Sequence, residues 1–197
     1  HVQLNPNIES CGFVLDNDKI FPCENASNNP QNSFIIPARD FERAREIGEP
    51  NGFYHNHPKD TDFSELDKLI SEKINLKCFL YNLQENLLQI YDPKGYEVPY
   101  VNRPFVIGIF DCLTLVQDYY QREFNIKISD INHPDRLNRE KWESSPDNNT
   151  KNAIFLNHLL ENGFSIVNNL QIADIILTRG PKIDVPIHHC IYLGNNN

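Results

Sequence analysis

The sequence predicts an α+β protein of two domains, a mixed sheet with flanking helices followed by a second α+β unit. Three features carry this reading. The chain has 197 residues, which suits two domains of about 100 residues each. Short strand-like and helix-like segments alternate through the first half. A proline- and glycine-containing stretch near residues 93–103 then separates that half from one opening on a helix and closing on strands. The boundary is drawn there, giving domains 1–95 and 96–197.

In chain order, Phe13-Val14-Leu15 reads as a buried strand and Asp16-Asn17-Asp18 as its turn. Ser33 to Ile36 reads as another strand. Pro37 to Ile47 reads as a short helix, because Phe41, Ala44 and Ile47 fall at helical spacing. Gly52 to His57 reads as a strand. Ser64 to Ile74 reads as a helix with Leu66, Leu69, Ile70 and Ile74 on one face. Lys77 to Leu83 and Leu87 to Tyr91 form a closing hairpin, and Asp92-Pro93-Lys94-Gly95 is a turn. The second half starts with a helix from Cys112 to Phe124, its buried stripe made by Leu115, Val116, Tyr119 and Tyr120. Residues 129–150 are polar and irregular. Asn152 to Glu161 reads as a helix with Gly163 near its C-cap. The strands Ile172 to Thr178 and Ile187 to Leu193 follow.

Composition narrows the function classes. The apolar fraction is 40% and the aromatic fraction 11%, ordinary for a chain that buries cores. A net charge of -9 without a basic stripe argues against nucleic acid as partner. No apolar run approaches the roughly 20 residues of a membrane span. The five cysteines, Cys11, Cys23, Cys78, Cys112 and Cys190, match no disulfide or zinc-ribbon spacing and read as free thiols of a reducing cytosol. Cys11 and Cys78 read as core residues. Methionine is absent, and both ends read as cut.

Cys112 stands apart from the other four. It lies at the start of an amphipathic helix, where unpaired N–H groups and the helix dipole favour a thiolate, the nucleophilic form. Asp111 can cap that helix. A base is available on the late strand, in His188 or His189. The plainer alternative is a small buried cysteine and a surface histidine pair.

Asp111-Cys112-Leu113-Thr114-Leu115-Val116, then Ala173-Asp174-Ile175-Ile176-Leu177, then His188 to Gly194 together resemble the NlpC-type papain-like cysteine peptidases over residues 103–194. The resemblance implies Cys112 as nucleophile and His188 as base, with His189 the alternative. Ala173 stands where that family has glycine. The family's third polar residue, which orients the base, would fall beyond Asn197, so this domain is expected to be incomplete at its C-terminus. His133 and Trp142, in the irregular stretch, are candidates for a substrate groove or for a structural or surface role.

A second constellation lies upstream. His55 and His57 at i and i+2 on a strand point to one side. Asp67 on the next helix can supply a third ligand. Two imidazoles and a carboxylate leave a fourth tetrahedral position for water, as in catalytic zinc sites. Ser64-x-x-Asp67 is equally a helix-capping pattern. Glu9-Ser10-Cys11-Gly12-Phe13, Asn25-Ala26, His55-x-His57-Pro58 and Ser64-x-x-Asp67 together resemble the JAMM metallopeptidases over residues 5–92, with a loop before Ser64 one residue shorter than the family's. That resemblance implies one zinc ion held by His55, His57 and Asp67, Glu9 as general base, and Ser64 as donor to the developing oxyanion.

A JAMM-like domain followed by an NlpC-type domain resembles the tail tip assembly proteins of lambda-like bacteriophages. Arg103-Pro104-Phe105, Gly108, Asp111-Cys112 and Asp118-Tyr119-Tyr120 carry the likeness most strongly. It implies a virion component at the tail tip, made in the host cytoplasm and acting at the cell wall or periplasm. Its partners would be other tail tip proteins, and its substrate the stem peptides of peptidoglycan. The alternative is a structural assembly protein with vestigial sites.

Overall fold

The computed structural model describes residues 5–131, 154–179 and 186–194. The chain is mixed α+β and divides into two compact units, His1–Pro99 and Tyr100–Asn197.

The first unit holds one mixed five-stranded sheet in the order β2-β1-β3-β4-β5. Its strands are β1 (Cys11–Leu15), β2 (Ile20–Cys23), β3 (Pro50–His55), β4 (Lys77–Asn82) and β5 (Leu87–Tyr91). Only β3 and β4 run parallel, joined by the crossover helix α2 (Glu65–Ile74); the other pairs are antiparallel. Helix α1 (Ala38–Arg45) precedes β3. The β1–β2 turn is the expected Asp16–Asp18, closed by a bond from the Leu15 N–H to the Lys19 carbonyl and a positive φ at Asp18.

The expected strand at Ser33 to Ile36 is corrected. Those residues form a loop, and the strand between β1 and α1 is Ile20–Cys23, which pairs with β1 at the sheet edge. The Ile35 N–H donates to the Asn25 side chain and its carbonyl accepts from Ala26, so its backbone groups are satisfied locally rather than in a ladder. Pro22 had hidden β2 from propensity arguments. It is tolerated because β2 is an edge strand, where a missing donor costs no ladder bond.

One sheet face builds the core. Cys11, Phe13, Leu15, Cys23, Phe53 and Cys78 pack with Ala44 of α1 and Ile70 of α2. Helix α2 starts on a capping box: Ser64 Oγ accepts from the Asp67 N–H, and Asp67 reaches back to the Ser64 N–H. It stops at Asn75 in the left-handed conformation. The Glu72 carboxylate on α2 accepts the N–H groups of Lys94, Gly95 and Tyr96 and the Tyr91 hydroxyl, which ties down the segment after β5.

The second unit contains α3 (Cys112–Phe124), α4 (Ile154–Glu161) and the antiparallel pair β6 (Ile175–Arg179) and β7 (Pro186–Ile191). Strand β6 starts later than the sequence suggests, because Ala173 takes φ 79° and Asp174 closes a turn onto Gln171. Leu113 of α3, Phe155 of α4, Ile131 and Leu177 form one core cluster, and Val116, Tyr120, Ile128, Phe164 and Ile175 another. Arg103 binds Asp118 at 2.8 Å in a pair with side chains 7% and 13% exposed, and its guanidinium lies over Phe110. Among the described residues no helix is long and apolar enough to cross a membrane.

Candidate functional sites

In the first unit the chain brings His55, His57 and Asp67 together. His55 ends β3, His57 follows two residues on, and Asp67 sits in the first turn of α2. Their ligand atoms all lie within 4.8 Å of one another, a cluster that could hold a metal ion. His55 Nε2 lies 3.2 Å from Asp67 Oδ1, His57 Nε2 lies 3.4 Å from Asp67 Oδ2, and the two Nε2 atoms are 3.0 Å apart. His57 Nδ1–H donates to the Asp62 carbonyl at 3.1 Å, which leaves Nε2 facing the cluster.

The charges respond to this packing. Burial pushes His55 below its usual range against the pull of Asp67. Burial also opposes charge on His57, but hydrogen bonding and attraction to Asp67 outweigh it and raise that ring. Burial disfavours the Asp67 carboxylate, yet bonds from His55, His57 and Ser64 carry it far below the carboxylate range. Glu9 is buried, which pushes its carboxyl up to about 7; His57 lowers it and Asp67 raises it.

Glu9 is held beside this cluster by Asn25, part of the JAMM resemblance, and by Asn56, which sequence reasoning passed over. Asn56, fully buried between the two histidines, accepts from the Ser10 N–H and donates to the Ile8 carbonyl. Asn25 donates to the Glu9 carbonyl at 2.7 Å. Asn56 sits inside the His-x-His pattern itself, so its position was a usable signal. Ser64 is in the site, but its hydroxyl serves the capping box, donating to Asp67 Oδ2 at 2.7 Å and accepting from the Asp67 N–H. The capping pattern read at Ser64-x-x-Asp67 is present, and the same hydroxyl bonds the Asp67 carboxylate.

In the second unit, Cys112 is the first residue of α3. Asp111 caps the helix with one oxygen, accepting from the Thr114 N–H, and takes the Gly108 N–H with the other. The sulfur lies 3.5 Å from His189 Nδ1. Burial raises the Cys112 thiol, while the backbone N–H groups of His189, Cys112 and Leu113 lower it.

The expectation that His188 meets Cys112 is overturned. His188 is exposed, and it is His189, 1% exposed, that faces the sulfur. The cross-strand register explains this. His189 pairs with Leu177, which packs on Leu113 and Phe155, whereas His188 pairs with exposed Thr178. The His189 ring also meets Phe155 edge-on, with centroids 4.4 Å apart. His133 and Trp142 lie outside the described residues. All five cysteines are free thiols.

Comparison with known proteins adds the following. No protein-family model matches the chain. Among solved structures, a solution structure of a protein from Desulfitobacterium hafniense is matched over 52% of this chain and 88% of its own at 18% identity, with a TM-score of 0.35. The chain is 34% identical over 145 residues to a protein of Escherichia phage N15 named Tail tip assembly protein K. That match takes in 71% of this chain and spans 58% of the phage protein's length.

Proposed function

We propose that this chain is part of a phage tail tip assembly protein whose second unit is a cysteine peptide hydrolase acting through Cys112 and His189. The name of the phage N15 relative supports the tail tip role. The observation that carries the hydrolase is the 3.5 Å approach of Cys112 Sγ to His189 Nδ1 at a helix start. His189 removes the thiol proton and the thiolate attacks an amide carbonyl carbon. The C–N bond breaks as His189 returns the proton to the leaving amine, and a thioester remains. Water, deprotonated by His189, then releases the acid and the free thiol. Peptidoglycan stem peptides are the proposed substrate, and other tail tip proteins the proposed partners. The protein acts from the virion tail tip at the host wall or periplasm.

The His55–His57–Asp67 cluster is proposed as a zinc site. His55 and His57 would hold the ion through Nε2 and Asp67 through its carboxylate: the two Nε2 atoms are 3.0 Å apart, His55 Nε2 lies 3.2 Å from Asp67 Oδ1, and His57 Nε2 lies 3.4 Å from the other oxygen, Oδ2. Zinc, when bound, supplies Lewis acidity. The chain would contribute the three ligands and Glu9, a buried carboxyl near them, as the group that accepts or releases the proton.

The test is cleavage of peptidoglycan fragments under reducing conditions. Cys112→Ala abolishes it, His189→Ala lowers it by about 100-fold or more, and His188→Ala stays close to wild type. Loss on His188→Ala with activity kept in His189→Ala refutes the pairing. A second reading is a structural assembly part with vestigial chemistry. It is favoured by the burial that raises the Cys112 thiol. It stands if the wild type cleaves nothing while Cys112→Ala still supports tail assembly.

A further inference from the structure

His55 is the most enclosed of the three candidate ligands, with no exposed surface. Its ring packs against Phe34, at a centroid distance of 4.7 Å, and against Phe53, stacked at 6.3 Å and 12°, and these two rings also touch each other. Those apolar contacts restrain the ring plane. They do not fix the flip state of the ring, because a half-turn about χ2 preserves them while exchanging Nε2 with Cε1 and Nδ1 with Cδ2.

A polar partner makes that choice. Cys78 on β4 is the parallel cross-strand partner of Phe53 and points into the same core face. Its sulfur lies 3.8 Å from His55 Nδ1. His57 meets the same need with a backbone carbonyl, that of Asp62. Both rings thus have Nδ1 engaged and Nε2 turned to Asp67. The two partners differ chemically. A carbonyl only accepts, while a thiol both donates and accepts. When Nε2 ligates a cation, the His55 proton must sit on Nδ1, and the Cys78 sulfur is there to accept it.

We infer that Cys78 is a positioning residue for the metal centre, taking the His55 Nδ1–H and holding Nε2 on the ligand side. This rests on the metal reading proposed above. Without the sulfur, a buried N–H faces hydrocarbon, and the penalty falls on the ligating form of the ring.

The experiment is zinc titration against a chromophoric chelator for wild type, Cys78→Ala and Cys23→Ala. Cys23 is a thiol of the same core whose sulfur contacts the Phe21 carbonyl rather than His55, so it reports the cost of losing a core thiol alone. Cys78→Ala binds zinc about 10- to 100-fold more weakly, and Cys23→Ala binds like wild type. A second measurement needs no variant. Long-range ¹H–¹⁵N spectra of the zinc-loaded wild type show His55 protonated at Nδ1 and ligating through Nε2. Wild-type affinity in a folded Cys78→Ala overturns the inference, as does ligation of His55 through Nδ1. If Cys78→Ala does not fold, the spectra decide. A wild type that binds no zinc removes the metal reading itself, which is a different failure.

Discussion

Ala173 occupies a backbone conformation that suits glycine. Its φ is 79°, in the left-handed region where a Cβ crowds the following carbonyl. The position is anchored on both sides: its N–H donates to the Tyr192 carbonyl at 2.8 Å and its carbonyl accepts the Tyr120 hydroxyl at 2.6 Å. It therefore braces α3, which carries Cys112, against the turn that starts β6, and it cannot relax. Replacing alanine by glycine relieves about 1–2 kcal/mol of strain and gives back about 0.4–1 kcal/mol through the looser unfolded chain. The net is a gain of about 0.8 kcal/mol from the middle of the two ranges, and of no more than about 1.6 kcal/mol. For a chain of this size each kcal/mol moves the melting temperature by about 2–4 °C, so Ala173→Gly should melt about 1–4 °C higher. Thermal and urea unfolding, read by circular dichroism, measure it. A drop in stability would refute the strain argument and would mean the alanine methyl contributes packing that outweighs the backbone cost.

Two further outcomes are expected. Arg103→Met should cost about 3–5 kcal/mol in urea unfolding, because it leaves Asp118 in a shielded setting without its ion pair, while the double variant Arg103→Met/Asp118→Leu should cost much less; a single-variant cost under about 1 kcal/mol would mark an ordinary surface pair. Burial pushes the Cys11 and Cys23 thiols up to about 12, so the folded state keeps these protons to higher pH than the unfolded chain. Their stability contribution is intact below the unfolded thiol value of about 8.5 and is lost as pH rises towards the folded values. The free energy of unfolding in reductant should therefore fall between about pH 8 and pH 11, and a Cys11→Ala/Cys23→Ala variant should show a flatter slope there.

Features written in adjacent residues were legible without coordinates. Asp111 before Cys112 marked the start of α3, and Ser64-x-x-Asp67 marked the start of α2, because a cap needs only its own side chain and the N–H groups of the next turn. The hairpin β4–β5 was read from two apolar runs around a short polar turn. The His-x-His pair and Asp67 were recognisable as ligand types at workable spacing, and the fold does converge them.

What escaped was long-range. Strand alternation says which residues share a face, but not which face meets the neighbouring helix. His188 and His189 were therefore equivalent until the pairing of His189 with Leu177 turned one inward. The strand at Ile20–Cys23 was hidden by Pro22, whose cost depends on a place at the sheet edge that only topology reveals. Cys78 read as core filler because its contact with His55 crosses from β4 to β3. Sequence by itself determined the cysteine at a helix start and the types of the candidate metal ligands, since these are written in adjacent residues and local spacing. Only the tertiary structure decided which histidine faces Cys112 and which thiol backs His55, because both depend on register between segments far apart in the chain.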